Sequence, residues 1–360
     1  MSIITDNKPN FRQQILPLLL LTCGLMMDSP QADTAIPAGW RLSMDNDLIA
    51  LNNRDQDFTG GISFNYTSAS PASGLSSPPW ISLDTVLGFI EQTAGIETPG
   101  GTLYATEAGM SVFTPEDTQS HTVQYDDRPY ASLLFLSSSR QTLLANNRQT
   151  ITRTFTLGAL GLALSANVQN AIHRPLGVDL AQGWKYQISA GGEPTLRYSL
   201  SRQTRHWARK GAVGLDYDLS STLKGSLGYL SDLGWGISGR LGRISSPWWS
   251  DNPLLEDYAE RGSIHATRGA SRHQFYLWGG LFVRARAYNA LLQGQFRDSP
   301  VRYSRPALYP VIANVWIGLE YVFGRGIRLG YSWHGETAEV RHGKGSHAMT
   351  WGNLSITGSW

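Results

Sequence analysis

The sequence predicts an all-β protein, a transmembrane antiparallel β-barrel of about twelve strands with a short helical segment near residues 166–175. Three observations predict it. Apolar and polar residues alternate with period two in run after run, the pattern of a sheet with one oily and one polar face. No stretch beyond the N-terminal region approaches the roughly 20 apolar residues that a spanning helix needs. The last segment, Leu354-Ser-Ile-Thr-Gly-Ser-Trp360, alternates up to a terminal aromatic residue, as outer-membrane barrels commonly do.

Taken in order, the chain opens with Lys8 and Arg12 ahead of a short apolar run, Ile15 to Met27. That is the pattern of an export signal, so residues 1–32 are assigned to a signal peptide and residues 33–360 to one barrel domain. Cys23 is the only cysteine, which excludes an intrachain disulfide and a cysteine-built zinc site. A formal net charge of +2 gives no electrostatic case for nucleic acid as a partner.

The first strand sets Trp40, Leu42 and Met44 against Arg41, Ser43, Asp45 and Asp47. The second sets Phe58, Ile62, Phe64 and Tyr66 against Thr59, Ser63, Asn65 and Thr67. On this parity Asp47 and Thr59 both face a polar lumen, while Asn46 has the opposite parity at a strand end. Later strands follow the same rule. Leu196, Tyr198 and Leu200 oppose Arg197, Ser199 and Ser201, and Val283, Ala285 and Ala287 oppose Arg284, Arg286 and Tyr288. Val311 to Phe323 form a long alternating row, joined through Gly324-Arg325-Gly326 to Ile327, Leu329, Tyr331 and Trp333, which oppose Arg328, Ser332 and His334. The 12 Trp and 15 Tyr suit the aromatic girdles at the two membrane interfaces. Polar stretches at about 69–100, 244–272 and 298–308 are read as outer loops. A soluble β-sandwich shares the period, but runs of about 9–11 residues favour a membrane-crossing barrel.

Residues 168–184 carry the clearest chemical signal. Gln169 and His173 stand four apart, on one face of a helical turn that Pro175 ends, and Asp179 follows in a Gly-containing loop. A histidine beside an amide with a carboxylate nearby is the equipment of a general base, although a structural histidine gives the same pattern. Asp45-Asn46-Asp47 offers hard oxygen ligands suited to Ca²⁺ rather than zinc, or simply the turn after a strand. Asp127-Arg128-Pro129-Tyr130 reads as an ion pair and a rigid turn, and His342 and His347 as solvent-facing loop residues. No HExxH, GxSxG or phosphate-binding glycine loop occurs, which argues against zinc-protease, serine-hydrolase and nucleotide chemistry.

Together, Met44–Asp47, Asp57–Gly61, Phe113–Pro115, Asp127–Tyr130, Gln169–Trp184 and Thr337–Val340 resemble, in order, the outer-membrane lipid A 3′-O-deacylase family. The similarity runs from about residue 40 to the C-terminus. It implies a twelve-stranded barrel in the Gram-negative outer membrane, with outer-membrane lipid around it and its active site toward the outer leaflet. It also implies Ca²⁺-assisted removal of the 3′-linked acyloxyacyl chain of lipid A, the lipid part of lipopolysaccharide. Carried over by position, His173 is the catalytic base with Gln169 beside it. Asn46 and Thr59 are further active-site residues, and Asp47 and Asp179 are candidate metal ligands. One departure stands out. A lysine found after the Phe-Thr-Pro motif in some members is missing, and His121 is the nearest basic group between Pro115 and Arg128. A competing class is a non-enzymatic barrel, a porin or structural protein, with Arg197, Arg284, Arg286 and Arg328 as lumen charges.

Overall fold

In the computed structural model the strands close into one ring. The structure describes residues 38–50, 57–69, 83–94, 102–176, 180–210, 215–250, 252, 257–258, 274–323 and 327–359. Twelve strands run β1 (Gly39–Asn46), β2 (Asp57–Ser68), β3 (Thr102–Thr114), β4 (Ala131–Leu143), β5 (Gln149–Leu160), β6 (Glu193–Arg209), β7 (Asp216–Gly228), β8 (Leu230–Arg243), β9 (Gln274–Asn289), β10 (Val311–Val322), β11 (Arg328–Glu336) and β12 (Met349–Ser359). Each pairs antiparallel with its sequence neighbours, and β1 closes on β12. Closure leaves no free sheet edge, which is what permits strands to cross lipid. Among the described residues no helix is long and apolar enough to cross a membrane. The assigned signal peptide and the Gly324-Arg325-Gly326 turn lie outside the described residues.

Alternation sorts the wall as the sequence predicts. Leu196, Leu200, Val283, Val315, Ile317 and Leu329 point out and are exposed, while Arg197, Ser201, Arg284, Trp316, Glu320 and Arg328 point in and are buried. An apolar outer wall around a polar lumen is the reverse of a soluble core, and it is the arrangement lipid requires.

An even strand count places both ends of the ring at one rim, together with the connections 69–101, 144–148, 210–215, 244–273 and 323–327. Two of the three expected outer loops, 69–100 and 244–272, therefore leave from the opposite rim to 298–308. The β8–β9 connection does not stay there. Trp249 packs on Leu103 and Ala105 near the start of β3. Thr222 of β7 bonds Asn252 at 3.3 Å, and Tyr258 meets Phe58 and Phe113 at the far end of β2 and β3. Trp249, Asn252 and Tyr258 thus lie inside the barrel, successively further from that rim. Asp257 then lies between Arg284 (3.0 Å) and Arg197 (3.5 Å).

The β2–β3 connection carries a helix, α1 (Leu83–Thr93), which lies against the outside of the wall. Leu83 and Leu87 pack with Phe155, and Tyr198 borders the cluster. Both aromatic residues share the outward parity of Leu157 and Leu196. A second helix, α2 (Ala163–Leu176), follows β5 at the opposite rim and ends one residue past Pro175.

Candidate functional site

The β1–β2 hairpin departs from simple alternation where the chemistry is expected. The β2–β3 register shifts between Asp57 and Gly60, a bulge that puts an extra residue into β2. Gly61 faces Ser111 and keeps the inward parity of Ser63 and Asn65, and Phe58 also points in, packed on Phe113. Thr59, between them in the bulge, turns out. Its hydroxyl bonds that of Thr114 at 2.5 Å, and Thr114 shares the outward parity of Met110 and Val112. The expectation that Thr59 lines the lumen is thus corrected: one extra residue moves it to the other face.

Asn46 already faces outward, and its amide nitrogen donates to the Thr59 carbonyl. Its Oδ1 and the Asp47 carboxylate both accept from the Leu48 amide at 2.8 Å. Asn46, Asp47, Thr59 and Thr114 therefore form one polar cluster at the end of β1 and β2. Thr114 belongs to the Phe113–Pro115 segment, and a pairwise reading of that motif misses it.

Helix α2 covers the same outer face. Met110, Val112, Tyr130, Ala181 and Trp184 form a buried cluster, bordered by Ala166 and Val168 of α2. Trp184 and Tyr130 lie 4.9 Å apart, centre to centre. Gly183 permits that approach, since a Cβ there would collide with the Tyr130 ring. The returning segment is fixed to α2 by the Ala181 amide on Asn170 (3.2 Å), and to the β3–β4 connection by the Gln182 amide on Thr118 (2.8 Å).

Gln169 is held by this packing. Its Oε1 accepts from the Trp184 indole at 2.9 Å, which fixes the orientation of the amide, and among the described residues its buried Nε2 has no partner. A buried donor without an acceptor costs stability unless a ligand supplies one. His173 stands one turn further along α2. Its side chain, and the whole of Asp179, lie outside the described residues.

The cluster is suited to a hard cation. Asp47, Asn46, Thr59 and Thr114 offer carboxylate, amide and hydroxyl oxygens, the donors that Ca²⁺ takes and zinc does not favour. Among the described residues no group of three or more His, Cys, Asp or Glu side chains could hold a metal ion. A cation here would thus draw on neutral oxygens as well as on Asp47.

Two expectations about neighbouring motifs change. Arg128 pairs with Glu339 at 2.6 Å rather than with Asp127, which instead caps the Glu116 (2.9 Å) and Arg128 (2.7 Å) amides. Burial, only partly offset by those two bonds, raises the Asp127 carboxyl above its usual range. His347 is no free loop residue: it bonds the Asp57 carboxylate through Nε2.

The family model described as Outer membrane protein LpxR matches residues 18–360. Among solved structures, LpxR from Salmonella typhimurium superposes with a TM-score of 0.68 at 16% identity, covering 89% of this chain and 100% of that one. The β domain of the Bordetella autotransporter BrkA gives 0.42 at 10% identity, with 90% and 100% covered. No curated protein matches the chain. With a family match over almost the whole length and the same barrel in a solved member, the chain belongs to the outer membrane protein LpxR family.

Proposed function

We propose that this outer-membrane barrel is an esterase that removes the 3′-linked acyloxyacyl chain of lipid A, working toward the outer leaflet. The observation that carries the reading is the side of the wall on which the polar cluster lies. Asn46, Thr59 and Thr114 gather on the outward side of the wall, the side that α2 covers and that faces lipid, and not in the lumen; Thr59 and Thr114 are buried there.

His173, as neutral imidazole, takes a proton from water, and the hydroxide formed attacks the ester carbonyl carbon. The carbon–oxygen bond to the sugar breaks as the tetrahedral intermediate collapses, and the proton returns to the leaving oxygen. General-base help of this kind contributes roughly 10²- to 10⁴-fold. The Gln169 Nε2, without a partner among the described residues, is a fixed donor for the oxyanion, a contact worth about 2.7–4 kcal/mol in comparable sites. Asp47, Asp179 and the oxygens of Asn46 and Thr59 would hold Ca²⁺. When bound, the ion supplies Lewis-acid polarisation of the carbonyl.

The test is mass spectrometry of lipid A from cells with and without the protein. Loss of one acyloxyacyl unit from the distal glucosamine is expected. His173→Ala should abolish that loss while leaving a heat-modifiable, folded barrel, and chelation of calcium should suppress it in the wild type. Deacylation retained by His173→Ala would rule out the base.

A further inference from the structure

At the rim that carries α2, the β9–β10 connection, four and five strands around the ring from β2, and the β11–β12 connection, two and three strands from it, line a cavity of about 380 Å³. That volume lies within the roughly 300–1,000 Å³ of small-molecule sites. We propose that this cavity binds an anionic sugar, phosphorylated or carboxylated, at a site separate from the ester site.

Its walls are tied together before any ligand arrives. Leu308 and Val340 form an isolated β-bridge. The Tyr309 amide donates to the Glu339 carbonyl at 2.8 Å, and the Arg341 amide to the Ala307 carbonyl at 2.9 Å. Pre-organisation of this kind lowers the entropic cost of binding.

Its charge is positive. The lining includes Arg286, Arg305 and Arg341 but one carboxylate, Glu339, which is already engaged by Arg128 and Arg286. Among the described residues neither Arg305 nor Arg341 has an acidic partner. Each is anchored by a backbone carbonyl instead, Arg305 Nη1 on Ala287 at 3.1 Å and Arg341 Nε on Leu308 at 3.0 Å. That leaves the other guanidinium N–H groups for a ligand, and planar guanidinium suits phosphate and carboxylate oxygens.

Beside the cations, Pro306, Tyr309 and Pro310 offer flat apolar surface. Tyr309 is 39% exposed, with the Arg341 guanidinium 4.6 Å from its ring centre, and Pro306 is also exposed. An aromatic face beside paired cations fits a sugar ring bearing an acid better than it fits a bare inorganic anion.

Equilibrium titration of the full-length protein in detergent micelles tests this, with glucose 6-phosphate, glucuronate, glucose and inorganic phosphate as probes. Both anionic sugars should bind and glucose should not. Arg305→Gln combined with Arg341→Gln should weaken binding by about tenfold or more, the loss of at least one charge-assisted contact. His173→Ala should bind as the wild type does, so failure here and failure of the esterase reading are distinguishable. Purified lipopolysaccharide that displaces glucose 6-phosphate would identify a neighbouring glycolipid as the source, and lack of displacement a soluble sugar acid. The proposal is overturned if neither anionic sugar binds, if the double variant binds unchanged, or if phosphate alone binds as tightly as glucose 6-phosphate.

Discussion

Glu339 shows how much of the outer rim depends on single carboxylates. It accepts from Arg128 at 2.6 Å and from Tyr258 and Asn289 at 3.1 Å each, and Arg286 completes the set. Burial pushes its carboxyl up, but Arg128 and Arg286 outweigh that and hold it below the usual range. Glu339→Gln would leave two buried guanidiniums short of countercharge. The expected loss is about 3–5 kcal/mol, read as a lower unfolding temperature in detergent. His347 works in the opposite sense on the same rim. Its hydrogen bond to Asp57 raises the imidazole above its ordinary value of 6.5, against the effect of burial. A raised folded value means that the tie between the start of β2 and the β11–β12 connection is fully present below pH 6.5 and is lost as pH rises through the folded value. Thermal unfolding of the wild type should thus fall between pH 5.5 and 8.5 by more than that of His347→Gln. Equal pH dependence in the two proteins would remove this contribution.

Among the elements, α1 solves a problem that strand pairing creates. Arg140 and Arg153 are direct cross-strand neighbours on the outward face of β4 and β5, where like charges repel and lipid cannot solvate them. Helix α1 supplies Asp84 to Arg140 at 2.9 Å, and Glu91 to both Arg140 (2.5 Å) and Arg153 (3.2 Å). Glu91→Gln should release the helix, seen as protease cleavage within residues 83–94 while the barrel strands stay resistant. Cleavage no faster than in the wild type would show that apolar packing alone holds α1. This helix was not legible in the sequence, because its partners are matched by charge over some fifty residues and not by any local period. The long rows of β10 and β11 were legible, since alternation with nothing packed outside maps directly onto the wall. Thr59 was misread for a specific reason: a bulge adds one residue, and period-two parity inverts across it. The helical turn bearing Gln169 and His173 was visible from its spacing and from Pro175. Its covering partner Trp184 was not, because an indole fifteen residues away leaves no periodic trace.

The whole molecule is decided by what fills the ring. Eight strands enclose a lumen that side chains alone can fill, and sixteen leave an aqueous channel, so a ring of twelve needs additional filling. Here Asn252, Asp257 and Tyr258 of the β8–β9 connection contribute to it inside the lumen. The four arginines that a pore reading would assign to ion passage are all buried and paired. Arg197 and Arg284 meet Asp257, Arg286 meets Asp232 at 3.3 Å, and Arg328 meets Glu320 at 3.1 Å. Charges bound to each other in a filled lumen do not conduct, which favours an enzyme on the wall over a porin. In planar bilayers the wild-type protein should therefore be electrically silent. Replacing residues 247–272 by a short turn should open a path and remove Asp257, leaving Arg197 and Arg284 with less countercharge, so the new conductance should prefer anions. A large, steady conductance in the wild type would overturn this account of the lumen, and with it the main structural argument against a pore.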